Sequence, residues 1–166
     1  MMEEIWGSFT TPVGTAVAWV TPEGSLTRFW TNARSLPKGG RRDDGAIAHV
    51  KAQVDEYFAG TRKDFTLPLA AEGTGFQKQV WAELCRIPFG ETISYLTLAT
   101  RVGDPGAARA VGHANSRNPI GLIVPCHRVI GANGTLTGYA GGLPLKQALL
   151  EFESGQPSLF PFTSLS

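Results

Sequence analysis

The chain has 166 residues and a formal net charge of +1, with 42% hydrophobic and 17% charged residues. Such a composition builds a real core and excludes both a disordered chain and a generally basic, histone-like protein. No run of about 18 apolar residues occurs, which excludes a membrane-spanning helix. Met1-Met2-Glu3-Glu4 lacks the basic and apolar regions of a secretory signal, so a cytoplasmic protein without a membrane partner is expected.

The first thirty residues read as a β-meander. Ile5–Phe9, Val13–Val20 and Ser25–Trp30 are rich in β-branched and aromatic residues, and Pro12 and Thr21-Pro22-Glu23-Gly24 separate them. Residues 33–45, with Gly39-Gly40-Arg41-Arg42-Asp43-Asp44, read as a loop. Ala46–Ala59 places Ile47, Val50, Val54, Tyr57 and Phe58 on one helical face, and Phe65–Leu69 suits a short returning strand. Residues 1–72 hold eight Lys/Arg and nine Asp/Glu but no chemical constellation, so they form a small supporting α/β domain.

The punctuation changes at Glu72-Gly73-Thr74-Gly75. Thr74 and Gln77 form a capping box for a helix over Phe76–Ile87, with Phe76, Val80, Leu84 and Ile87 as its stripe and Pro88 as its stop. Cys85 lies inside this helix as a core or near-core thiol that needs no function. Thr92–Val102 reads as a second helix ended by Gly103. Asp104 caps a third, with Pro105 in its first turn, that runs to about Arg117, because Asn118-Pro119 must leave it. Two short helices joined through Gly103-Asp104 make a helix-turn-helix. The second is built from Gly106, Ala107, Ala108, Ala110, Gly112 and Ala114, with Arg109 as its long cation. Gly112 costs about 1 kcal/mol of helix stability. Close helix packing explains such a surface, and so does close approach to a nucleic-acid groove.

From Pro105 to Leu150, a stretch of 46 residues, there is no carboxylate, yet Arg109, Arg117, Arg128 and Lys146 lie there. Either the stretch is largely buried or it meets a polyanion. Within it, the apolar run Ile120–Val124 suits a buried strand that delivers Pro125-Cys126-His127-Arg128-Val129. A thiol beside an imidazole is the beginning of an activated nucleophile. Neighbours on a regular strand face opposite ways, so His127 can serve Cys126 only if the strand breaks at Pro125. It would then take the thiol proton directly or through a water, and Arg128 would favour the anion. Val129–Tyr139 reads as a hairpin with Asn133-Gly134 at its tip, a wing after the helix-turn-helix. A loop, Gly138-Tyr139-Ala140-Gly141-Gly142, leads to a last helix, Leu145–Glu153, with Leu145, Leu149 and Phe152 as its stripe. Glu151 and Glu153 are poorly placed for the helix dipole. They are either solvated, or one of them orients His127. The two cysteines show no C-x-x-C spacing, and the three histidines no H-x-x-x-H spacing. Neither a disulfide, a metal nor a cofactor is expected.

Pro125-Cys126-His127-Arg128-Val129 resembles the signature of the alkylguanine-DNA alkyltransferases, also called methylated-DNA–protein-cysteine methyltransferases. The resemblance runs through Phe76-Gln77, Val80-Trp81, Ile87-Pro88-Phe89-Gly90-Glu91-Thr92, Ser94-Tyr95, Ala107-Ala108-Arg109-Ala110-Val111-Gly112, Asn118-Pro119 and Gly138-Tyr139-Ala140-Gly141-Gly142. It covers residues 73–153. It implies an α/β (α+β) fold: a small ribonuclease-H-like N-terminal domain, then a winged helix-turn-helix-like domain. It also implies direct reversal of DNA damage, in which an alkyl group passes from O6-alkylguanine, or O4-alkylthymine, to Cys126 in a single turnover. His127 would be the base through a water, Glu153 its support, and Asn118 the holder of the turn. Tyr95 would help displace the nucleotide and donate a proton toward guanine. Arg109 would fill the gap in the duplex, with Ala110, Gly112, Arg117 and Arg128 also at the DNA and the small-residue helix in the minor groove. Val129, Tyr139 and the Ala140 amide would line the guanine pocket. The protein would be a monomer off DNA. A binder of alkylated DNA without transfer and a thiol redox enzyme are the rival readings.

Residues 154–166 carry no ionisable side chain and read as a flexible tail. Within it Gln156-Pro157-Ser158-Leu159-Phe160 resembles the short peptides that repair proteins insert into the DNA sliding clamp.

Overall fold

The computed structural model describes residues 4–139 and 141–155. Two compact units emerge. Among the described residues, one takes the chain up to Ala71 together with Pro119–Gly121, and the other takes Glu72–Asn118 and the chain from Leu122 to Gly155. The clamp-like segment Gln156–Phe160 and the pocket residue Ala140 lie outside the described residues.

In the first unit β1 (Ile5–Thr11), β2 (Gly14–Val20) and β3 (Leu26–Trp30) form the expected antiparallel meander. The segment read as a loop adds a fourth strand, β4 (Arg41–Arg42), parallel to β1, so the sheet order is β3-β2-β1-β4. Arginines are poor strand signals; two backbone bonds, Arg41 N–H to Glu4 O and Asp43 N–H to Trp6 O, draw them in. A single 3-10 turn capped by Asp43 leads into α1 (Ala48–Phe58), which buries Val50, Val54 and Tyr57. Ile47 lies so close to β1 that a Cβ on Gly7 would stand 2.6 Å from its Cγ1. Side chains alternate along a strand, so α1 covers the face of Ile5, Gly7 and Phe9, and the opposite face carries Trp6, Val17 and Trp19. The strand expected over Phe65–Leu69 reduces to one bridge, Leu69 with Leu26.

The second unit is helical. The Thr74–Gln77 capping box is formed, and α2 (Gly75–Leu84) follows it. Its buried stripe is Val80, Trp81 and Leu84, while Phe76, expected in the core, is 38% exposed. Trp81 takes that place because its indole N–H donates to Ala114 O at 2.9 Å. The helix ends one residue before Cys85, which is exposed rather than near-core. The next helix, α3 (Tyr95–Arg101), starts later than expected, because the Ser94 side chain accepts from Thr97 N–H and caps it there. The residues ahead of it form β5 (Ile93–Ser94). Asp104 caps a short 3-10 turn, and α4 (Ala108–Ser116) completes the helix-turn-helix.

Two expectations fail beyond α4. Ile120–Val124 is not a strand: only Ile120 bridges, to Phe29, and Leu122 adopts φ +69° in a turn. The wing hairpin is not formed either. β6 (Val129–Ile130) pairs in parallel with β5. Gly131 N–H then bonds Thr135 O at 2.8 Å and closes a tight turn, and no return strand follows among the described residues. The last helix, α5 (Leu143–Glu153), opens on Gly142 and buries Leu145, Lys146, Ala148, Leu149 and Glu153. No helix among the described residues is long and apolar enough to cross a membrane.

Candidate active site

No strand leads into Cys126; the chain turns ahead of Pro125, so the side chains of Cys126 and His127 are not held on opposite faces of a strand. Cys126–Arg128 form one 3-10 turn with all three side chains buried, and Cys126 is 7% exposed. The turn is held from two sides. Asn118 Nδ2 donates to Val124 O at 2.8 Å, and the Asn118 side chain also bonds the Cys126 thiol. From α4, Asn115 Nδ2 reaches Cys126 O at 3.4 Å.

Glu153 organises the imidazole. His127 Nε2 lies 2.8 Å from Glu153 Oε2, and Arg128 binds the same carboxylate in two places, Nε to Oε1 at 2.8 Å and Nη2 to Oε2 at 3.0 Å. A third Arg128 bond, Nη1 to Ile87 O at 2.6 Å, anchors it to the chain after α2. Burial pushes the Glu153 carboxyl up, but the hydrogen bonds from His127 and Arg128 and the Arg128 charge outweigh it and hold the group well below the usual carboxylate range. Burial pushes His127 down, against the pull of Glu153. Burial thus favours the neutral imidazole, and in that form Nε2–H donates to an ionised Glu153. Its Nδ1 is buried and without a hydrogen-bond partner. An aimed lone pair of this kind is what a general base needs. Burial pushes the Cys126 thiol up, and the Asn118 bond and the Lys146 charge pull it back.

Three comparisons bear on this geometry. Residues 75–155 match the model of the 6-O-methylguanine DNA methyltransferase DNA binding domain, and residues 21–71 match that of the ribonuclease-like domain of the same methyltransferase. The methylated-DNA–protein-cysteine methyltransferase of Methanosarcina acetivorans is 46% identical over 87% of this chain and 95% of its own length. The chain belongs to the methylated-DNA–protein-cysteine methyltransferase family. The family member of Mycobacterium leprae is 58% identical over 69% of each chain. The crystal structure of Mycobacterium tuberculosis OGT in complex with DNA superposes with a TM-score of 0.86 at 43% identity, covering 93% of this chain and 95% of that one.

The remaining site residues fall into two groups. Tyr95, at the start of α3, is half-buried, and its hydroxyl lies 2.5 Å from Thr137 Oγ1. Val129 is fully buried and Tyr139 is half-buried. Tyr139 approaches Gly141 so closely that a Cβ there would stand 2.9 Å from its Cε2. On α4, Arg109, Ala110 and Arg117 are exposed while Val111 and Ala114 are buried. A Cβ at Gly112 would meet the Tyr95 ring at 3.5 Å, ordinary contact, so packing does not require glycine there. Of the two explanations for that helix, the outward-facing one gains.

Arg128 is a correction. Read as a DNA contact and as the cation beside the thiolate, it is instead 5% exposed and bound to Glu153. A guanidinium with both forks occupied in the interior is not offered to phosphate. The carboxylate-free stretch therefore mixes both readings: Arg109 and Arg117 face solvent, whereas Arg128 and Lys146 are buried. Lys146 and Thr137 were not among the expected site residues. The signal available for Lys146 was its position seven residues before Glu153, two helical turns along one face.

Proposed function

We propose that this chain repairs DNA by direct reversal, taking an alkyl group from O6-alkylguanine onto the sulfur of Cys126. The observation that carries the reading is the buried Cys126-His127-Arg128 turn with Glu153 fixing the imidazole tautomer. The bare Nδ1 of His127 accepts the thiol proton through a water. The thiolate attacks the saturated carbon on O6, the carbon–oxygen bond breaks, and its electron pair stays with guanine. Tyr95 supplies a proton to the departing base and regains one from solvent as the His127 imidazolium releases its own, so the proton lost at sulfur is balanced by the one gained at guanine. The product is a thioether, which thiols cannot reverse as they reverse a disulfide. One protein molecule thus repairs one lesion.

The reactive sulfur is buried, so the target base must leave the duplex and enter the site, at a cost of a few kcal/mol. The exposed small-residue face of α4 fits the minor groove, with Arg109 offsetting part of that cost, and Ala110, Gly112 and Arg117 beside it. Val129 and Tyr139 line the guanine pocket. The protein acts as a monomer off DNA and in the cytoplasm, and the Gln156–Phe160 peptide engages a sliding clamp.

The test is mass. After incubation with a duplex carrying one O6-methylguanine, the Cys126 peptide gains one methyl group, and the yield stops at one methyl per protein. Repair of many lesions by one molecule would end the proposal, as would methyl on a different residue.

A further inference from the structure

The helix that carries Glu153 also carries a charge of the opposite sign. Lys146 is fully buried, and its Nζ donates to Val129 O at 2.6 Å and to Thr137 O at 3.2 Å. Among the described residues no carboxylate pairs with it. A buried ammonium bound only to neutral carbonyls is costly, and a long apolar side chain would fill the same space more cheaply. Its place in the first turn of α5 also opposes the helix dipole, as does that of Glu153 in the last. Both wrong-sign charges point into the same feature, the stretch from Cys126 to Val129.

The charges around that stretch sort into a matched set and one remainder. Arg128 is neutralised by Glu153, and burial favours the neutral form of His127. Cys85, just beyond α2, is exposed, and α4 contributes the uncharged Asn115. Lys146 remains. Its ammonium is bonded to the carbonyl of Val129, three residues beyond Cys126, and a Cys126 thiolate would favour its charged form against the cost of burial.

We propose that Lys146 is a positioning residue whose ammonium is the counter-ion of the Cys126 thiolate. Its two carbonyl bonds fix the ammonium in place. They also tie the Val129 wall of the pocket to Thr137, whose hydroxyl holds Tyr95. When His127 takes the thiol proton, the anion forms opposite a cation already in position, without reorganisation. When the sulfur becomes a thioether, that anion is gone. The proposal rests on Cys126 being the alkyl acceptor.

The experiment measures the pH profile of Cys126 alkylation by iodoacetamide in the full chain carrying Cys85→Ser, followed by the mass of the Cys126 peptide. Lys146→Met removes charge and donor; Lys146→Gln removes the charge and keeps a donor for the two carbonyls. Both are expected to move the midpoint up by about one pH unit, a loss of about tenfold near neutrality. Single-turnover transfer from a methylated duplex should show the same displaced profile. If Lys146→Met fails to fold, Lys146→Gln decides alone. A midpoint that stays put in Lys146→Gln, or a rate lowered equally at every pH, overturns the proposal and leaves Lys146 a structural brace. Methyl transfer absent from the protein with Lys146 intact, while the midpoint still moves, would sink the acceptor reading and leave the counter-ion standing.

Discussion

The two units treat charge in opposite ways. Among the described residues of the sheet unit the ion pairs lie at the surface: Arg28–Glu4, Arg41–Asp43, Arg42–Asp44, Lys51–Asp55 and Arg62–Glu56. Its interior is aliphatic and aromatic. In the helical unit His127, Arg128, Lys146 and Glu153 are all buried within one neighbourhood. Surface pairs contribute about 0–1 kcal/mol each, whereas burying a charge costs several kcal/mol unless it is paired. A fold that needed only stability would have no use for the second arrangement. The contrast marks where the chemistry lies, before any catalytic residue is named.

The contrast is sharpest at the cysteines. Cys126→Ser should abolish methyl uptake from damaged DNA, and Cys85→Ser should leave it intact, read from the intact mass of each variant. Loss in both would mean that the exposed thiol participates, and the redox reading would return.

Next in size is Glu153→Gln, which strands Arg128 in the interior. Stability should fall by about 3–5 kcal/mol by chemical denaturation, with slower transfer, as expected when one partner of a buried pair is removed. The same site sets an acid limit. Glu153 has a folded pKa below its unfolded value near 4.3, and burial likewise lowers His127 below its unfolded value near 6.5. Between folded and unfolded values the unfolded chain binds the extra proton, so stability falls as the pH drops. The midpoint of thermal unfolding should therefore decline from about pH 6.5 downward and more steeply below about pH 4. Glu153→Gln should flatten the lower part, and an unchanged acid limb would break the assignment.

A smaller effect is expected on α4. Arg109→Ala should slow transfer from duplex DNA by about tenfold, part of the few kcal/mol that flipping costs, and leave transfer from the free modified base unchanged. Equal loss on both substrates would place Arg109 in the pocket instead. Least of all, Arg42→Ala in the sheet unit should change stability by under about 1 kcal/mol, because its bonds to Asp44 and Ser8 are exposed. A larger loss would show that the sheet unit, too, depends on its charges.

Much of this was legible from residue order. The meander, the Thr74 capping box, the Asp104 cap and the helix-turn-helix follow from local signals: β-branched runs, side chains that satisfy nearby N–H groups, and Gly or Pro stops. Legibility failed where a partner distant in sequence decided. Ile93–Ser94 and Val129–Ile130 are two residues each and become strands only by pairing with each other. That parallel pairing takes the place of the hairpin that Asn133-Gly134 suggested. Ile120–Val124 is apolar enough for a strand but turns at Leu122, so that the chain can present Cys126.

The sequence alone determined the family and the adjacent Cys126-His127 pair proposed as nucleophile and base, because these rest on residue types adjacent in the chain. Residue order by itself left open which of Glu151 and Glu153 orients His127, and only the family resemblance pointed to Glu153. It could not tell that Arg109 and Arg117 face solvent while Arg128 and Lys146 are enclosed. Only the tertiary structure decided these, because whether a charge is solvated or buried depends on what packs over it, and for Arg128 and Lys146 that is Glu153, Ile87 O, Val129 O and Thr137 O.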